Sequence, residues 1–132
     1  MKFKTLMVIK ALVCLSLGLP ILLAPYFLYS LFGASLGPGG AFAAREYGAS
    51  LIGNLLLTWF ARNAIESAAR QALILDLCVY DAIGFVITLM ALISGVLGPL
   101  GWFALVIYLF FAVGYGYFLV YSPQPEARAS VA

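Results

Sequence analysis

Four stretches of about 20 mostly apolar residues follow one another along this chain, each set off from the next by a short polar or Gly- and Pro-rich break. A helix of that length, rising about 1.5 Å per residue, spans the roughly 30 Å hydrocarbon core of a bilayer. Hydrophobic residues make up 65% of the chain and charged residues 9%, too few to build a water-facing surface. In lipid the backbone must satisfy its own hydrogen bonds, and runs this long do so as helices. The expected fold is therefore all-α: an integral membrane four-helix bundle, formed by one domain over residues 1–121.

The spans are expected at about 5–24, 42–61, 72–93 and 100–121. Pro20 should kink the first and Pro25 should end it. An aromatic piece at 26–32 follows Pro25 directly, as the first turn of a short helix would, and its tyrosines and phenylalanines suit the membrane interface. Residues 33–40 (GASLGPGG) read as a loop, 62–71 as a polar connector with room for a helical extension, and 122–132 as a disordered tail. Lys2, Lys4 and Lys10 precede an apolar run as in a signal peptide, but no small-x-small cleavage pattern closes it, so it is read as the first span. With the N-terminus cytoplasmic, Lys2, Lys4, Lys10, Arg62, Arg70 and Arg128 fall on the inner side and Arg45 alone on the outer. The positive-inside rule thus puts both termini in the cytoplasm.

Inside this apolar chain a polar ladder stands out. Glu46, Ser50, Asn54, Thr58 and Arg62 recur at intervals of four residues, which aligns them along one ridge of the second span. Lipid satisfies no such ridge, so it points to an interior where helices meet. Asp81 lies near the middle of the third span, at the depth of Asn54 if the two spans are antiparallel neighbours. A carboxylate at that depth needs a proton or a hydrogen-bonding neighbour such as Asn54. Two uses stand side by side: a proton or ligand site, and a hydrogen-bonded pair that fastens the second span to the third. Nearer the inner end, Asp76 is within snorkelling reach of Lys10 and Arg62, and an ion pair is expected there.

The fourth span is aromatic, and Tyr108, Phe111, Tyr115 and Phe118 share a helical face that would either pack the bundle or line a site for a lipid, a quinone or a carotenoid. Small-xxx-small pairs (Ala44/Gly48, Ala49/Gly53, Ala91/Gly95, Ala112/Gly116) favour close helix approach. The chain has no histidine, which removes the commonest metal ligand and any Ser-His-Asp or Cys-His set. Cys14 and Cys78 lie far apart within apolar runs and read as packing residues. No metal site, cofactor or nucleic-acid surface is expected.

Several local runs, Ala24-Pro25, Phe32-Gly33, Arg45-Glu46-Tyr47-Gly48-Ala49, Ile52-Gly53, Trp59-Phe60-Ala61-Arg62 and Gly101-Trp102, resemble those of small bacterial four-span proteins similar in architecture to DoxX-like membrane proteins. The resemblance implies a four-helix bundle in a bacterial inner membrane and carries over no catalytic residue. The functional expectation is a non-enzymatic membrane protein, either an accessory subunit meeting other subunits through its helix faces or a module for an apolar ligand. The alternative is a small proton-coupled transporter, a homodimer working through Asp81.

Overall fold

The computed structural model describes residues 1–121, which form five α-helices and no strand. These are α1 (Phe3–Leu23), α2 (Pro25–Leu31), α3 (Pro38–Ala61), α4 (Ala68–Ile93) and α5 (Gly101–Tyr121). Three of them, α1, α4 and α5, are long and apolar enough to cross a membrane. Their outward faces carry exposed large apolar side chains, among them Leu12, Ile83, Ile87, Phe103, Val106 and Val113. Such a shell is unfavourable in water and matched to hydrocarbon, so the chain is a membrane protein. The tail expected to be disordered, 122–132, lies outside the described residues.

Prolines and glycines set the breaks. Pro20 sits inside α1, and the Ala24 N–H still donates to the Pro20 carbonyl at 2.7 Å as the helix ends. Pro25 then opens α2 at its first position, where a missing N–H costs nothing. Gly33 ends α2 with φ +77°, the left-handed conformation that glycine adopts without strain. The Gly98 N–H donates to the Phe32 carbonyl at 2.7 Å, tying the end of α2 to the α4–α5 turn. Short α2 is thereby held across one end of the bundle.

Two boundaries differ from expectation. Helix α3 begins at Pro38, four residues ahead of the expected start at 42, and takes Gly39 and Gly40 into its first turn. Proline at the first helical position outweighs the cost of two glycines there. Helix α4 begins at Ala68 rather than 72, because the Ser67 hydroxyl accepts from the Arg70 N–H at 3.2 Å and caps it. The stretch between α3 and Ser67 is a non-helical link, not a continuous extension.

Helix α1 is the centre of the assembly. It runs antiparallel to α3, and the crossing is tight: a Cβ on Gly48 would stand 2.7 Å from the Leu22 nitrogen and 3.0 Å from the Gly18 carbonyl oxygen. It also runs antiparallel to α5, with Leu6 against Gly114 and the Phe3 ring edge-on to Phe118 at 5.6 Å. Helices α4 and α5 form the second close antiparallel pair. Phe3, Leu6, Met7, Ile74, Leu77, Phe111 and Tyr115 fill the core at one end, and Cys14, Ile21, Ala44 and Leu51 fill it between α1 and α3. Contrary to the expectation for the second and third spans, α3 and α4 are not close neighbours; each packs mainly on another helix.

Candidate ligand cavity

The register of α1 on α4 decides where the chain's interior charges go. Leu6 and Met7 share a core with Ile74 and Leu77, so the two helices run parallel, and one turn further on Lys10 arrives beside Asp81. The Lys10 Nζ donates to Asp81 Oδ1 at 2.5 Å, with both side chains enclosed (4% and 0% exposed). The ammonium also stands 4.5 Å from the centre of the Phe111 ring and 5.2 Å from that of Tyr80. A carboxylate on one side and two π-faces around it offset the loss of water that burying both charges entails.

This pairing corrects two expectations. Asp81 takes its hydrogen bond from Lys10 and not from Asn54. Lys10, in turn, does not reach Asp76, which is exposed and makes no ion pair among the described residues. The third expected member, Arg62, turns back on its own helix, donating to the Trp59 carbonyl with its guanidinium 4.1 Å from the Trp59 ring centre.

The polar ladder is also distributed differently. Glu46 and Ser50 are exposed, Asn54 is half-buried and Thr58 is fully buried. Four residues turn an α-helix by about 400°, so an i, i+4 ridge drifts about 40° per step and winds across the helix surface. Gly48 must face α1, and Glu46, two residues away, therefore points to the opposite side. Drift then carries the ridge inward until Thr58 enters the bundle. Most rungs satisfy themselves locally: Ser50 Oγ donates to the Glu46 carbonyl at 3.2 Å and Thr58 Oγ1 to the Asn54 carbonyl at 2.7 Å.

Above the ion pair the helices leave a cavity of about 140 Å³. Lys10 and Asp81 lie at one end, and Leu28 and Tyr29 of α2, the Phe32 that follows it, and Leu97 at the other. Leu17, Leu51 and Ile107 give it apolar walls, and three further tyrosines, Tyr47, Tyr80 and Tyr108, supply hydroxyls. Tyr47 and Tyr108 hydrogen-bond to one another across α3 and α5. One hydroxyl of that pair donates and the other keeps its own proton to offer. Burial pushes the Tyr29 hydroxyl above its usual range, so it stays protonated and remains a donor. Among the buried polar atoms with no protein partner in the described residues are Asp81 Oδ2 and the Tyr80 hydroxyl. Buried polar atoms are seldom left so, and here both belong to residues that line a cavity.

No known protein family, curated protein or solved structure matches the chain. The cavity and its residues must therefore speak for themselves.

Of the expected aromatic face on α5, Tyr108 lines the cavity and Phe111 lies under the Lys10 ammonium. Tyr115 and Phe118 serve the core, Tyr115 stacking on Phe111 at 6.1 Å and donating to Met7 Sδ at 3.5 Å, Phe118 meeting Phe3. Tyr29, Tyr47 and Tyr80 are functional candidates that the sequence did not single out. Lys10 carried a readable signal, since a lone lysine between Ile9 and Ala11 in an apolar helix needs an interior carboxylate. Cys14 and Cys78 are free thiols, the first a cavity neighbour and the second donating to the Ala112 carbonyl at 3.6 Å.

Proposed function

We propose that this chain is a non-enzymatic four-span protein of a bacterial inner membrane that holds a small, mainly apolar molecule inside its bundle, as a binding module or an accessory subunit of a membrane assembly. Helix α3 is the fourth span in this reading: its 24 residues reach about 36 Å, and its hydropathy is lowered by Arg45, Glu46, Asn54 and its glycines. One observation carries the proposal. The cavity has apolar walls, the size of a small ring compound, and a polar end formed by Lys10, Asp81 and Tyr80. A cavity of about 150 Å³ lined by apolar side chains is known to take up benzene, and this one is similar in volume. Ligand sites typically pair such walls with a few convergent polar groups. The exposed Glu46 and Ser50, flanking Ala49 and Gly53 on the outer face of α3, support a further contact with another membrane helix.

Purification from membranes in mild detergent, followed by mass spectrometry of the extracted small molecules, tests the reading. A compound retained by the native chain should be lost from Ala104→Leu, which adds bulk to the cavity wall while the helical circular dichroism stays unchanged. Equal retention by both proteins, or no retained compound in either, would remove the cavity from consideration as a ligand site.

A further inference from the structure

We infer that the cavity's ligand is a neutral molecule whose polar head is a hydroxyl group, most simply a phenol or alcohol with an apolar remainder; this rests on the ligand-binding reading above. The inference comes from counting donors and acceptors at the polar end. Lys10 is engaged with Asp81 Oδ1 at 2.5 Å and flanked by the rings of Phe111 and Tyr80. Its charge is matched by the single carboxylate, so the site as a whole is neutral. A ligand bearing a net charge would find no counter-charge left and would lose its hydration on entering.

The atoms that remain are Asp81 Oδ2, an acceptor in need of a donor, and the Tyr80 hydroxyl, which can donate or accept. A hydrocarbon, an ether or an ester brings no donor and leaves Oδ2 as it is. A carboxylate head brings a second negative charge to Oδ2. A hydroxyl does both things required: it donates to Oδ2 and accepts from Tyr80. Its bond to Oδ2 is charge-assisted, roughly twice as strong as a neutral one. The body of the molecule then extends along Leu17, Leu51 and Ile107 toward α2, where Leu28 and Phe32 give it apolar company.

Three probes with one short alkyl group, sized to a cavity of about 140 Å³, separate the possibilities: 4-ethylphenol, its methyl ether 4-ethylanisole, and 4-ethylbenzoate. Each is titrated into phosphatidylcholine nanodiscs carrying the full chain, with empty nanodiscs subtracted. The phenol should bind about ten-fold or more tightly than the ether, since a hydrogen bond to a charged group is at stake, and the benzoate should bind no better than the ether. Tyr80→Phe should narrow the phenol's advantage. Lys10→Met with Asp81→Leu removes both charges together, so the fold is kept, and should erase the advantage while both neutral probes still bind. Equal binding of phenol and ether to the native chain, or tighter binding of the benzoate, overturns the hydroxyl assignment and leaves the cavity reading standing. If no probe binds above empty nanodiscs, the cavity holds only water and both proposals fall.

Discussion

Lys10 and Asp81 show how one register choice sets the chemistry of a membrane protein's interior. Each charge alone would be prohibitive among Cys14, Leu77 and Phe111; together, at 2.5 Å and nearly without exposure, they neutralise each other. Removing one partner leaves the other buried and unmatched. Lys10→Met and Asp81→Leu as single changes should therefore each destabilise the fold by about 3–5 kcal/mol, whereas the double change should be close to neutral. Thermal unfolding in detergent, read by circular dichroism, checks this; single variants as stable as the native chain would mean the pair is not closed. The same double variant speaks to proton coupling. On the proposed binding-module reading the pair is a scaffold, so proteoliposomes with an interior pH dye should show the same proton permeability with and without it, and a permeability that falls when the pair is removed would favour proton coupling through Asp81.

The elements themselves were largely readable from the chain, and their partners were not. Runs of apolar residues mark α1, α4 and α5, and Pro25 marks the start of α2, because these signals are local. The start of α3 was missed because Pro38-Gly39-Gly40 has the composition of a loop, yet Pro38 suits a helix start. The inward face of α3 was missed for a different reason. Polar residues at intervals of four drew attention to the Glu46 side, but the decisive residue is Gly48, whose absent side chain lets α1 approach. A pattern along one helix cannot say which neighbour it meets.

The two glycines of α3 test that account. Alanine is favoured over glycine in a helix by about 1 kcal/mol, and Gly48→Ala and Gly53→Ala share that gain. They differ in surroundings: a Cβ at Gly53 has nothing within 4 Å, and one at Gly48 meets the Leu22 nitrogen at 2.7 Å. Gly48→Ala should therefore be the less stable of the two by about 1–3 kcal/mol, the usual cost of overpacking. Unfolding by graded detergent denaturation measures the difference, and equal stabilities would show that the α1–α3 crossing is looser than described.

At the scale of the molecule, the alternation of helix directions ties the site to a side of the membrane. Helix α1 runs antiparallel to α3 and α5 and parallel to α4, so the ends of the helices fall into two sets. The link after Ala61 and the start of α1 lie at one set; α2, the start of α3 and the α4–α5 turn lie at the other. Lys2, Lys4, Arg62 and Arg70 gather at the first, while Arg45 lies toward the second. Under the proposed four-span arrangement, the positive-inside rule would put the first set in the cytoplasm and turn the α2 end of the cavity toward the outer leaflet. Single cysteines at Ser35, Ala64 and Val96, in a chain with Cys14 and Cys78 replaced by alanine, read the arrangement directly. A membrane-impermeant maleimide added to intact spheroplasts should label positions 35 and 96 and reach 64 only after permeabilisation. Labelling of 64 alone would invert the protein and turn the α2 end of the cavity to the cytoplasm. Labelling of 35 and 64 without 96 would mean that α3 does not cross, and the proposed bundle of four spans would fall.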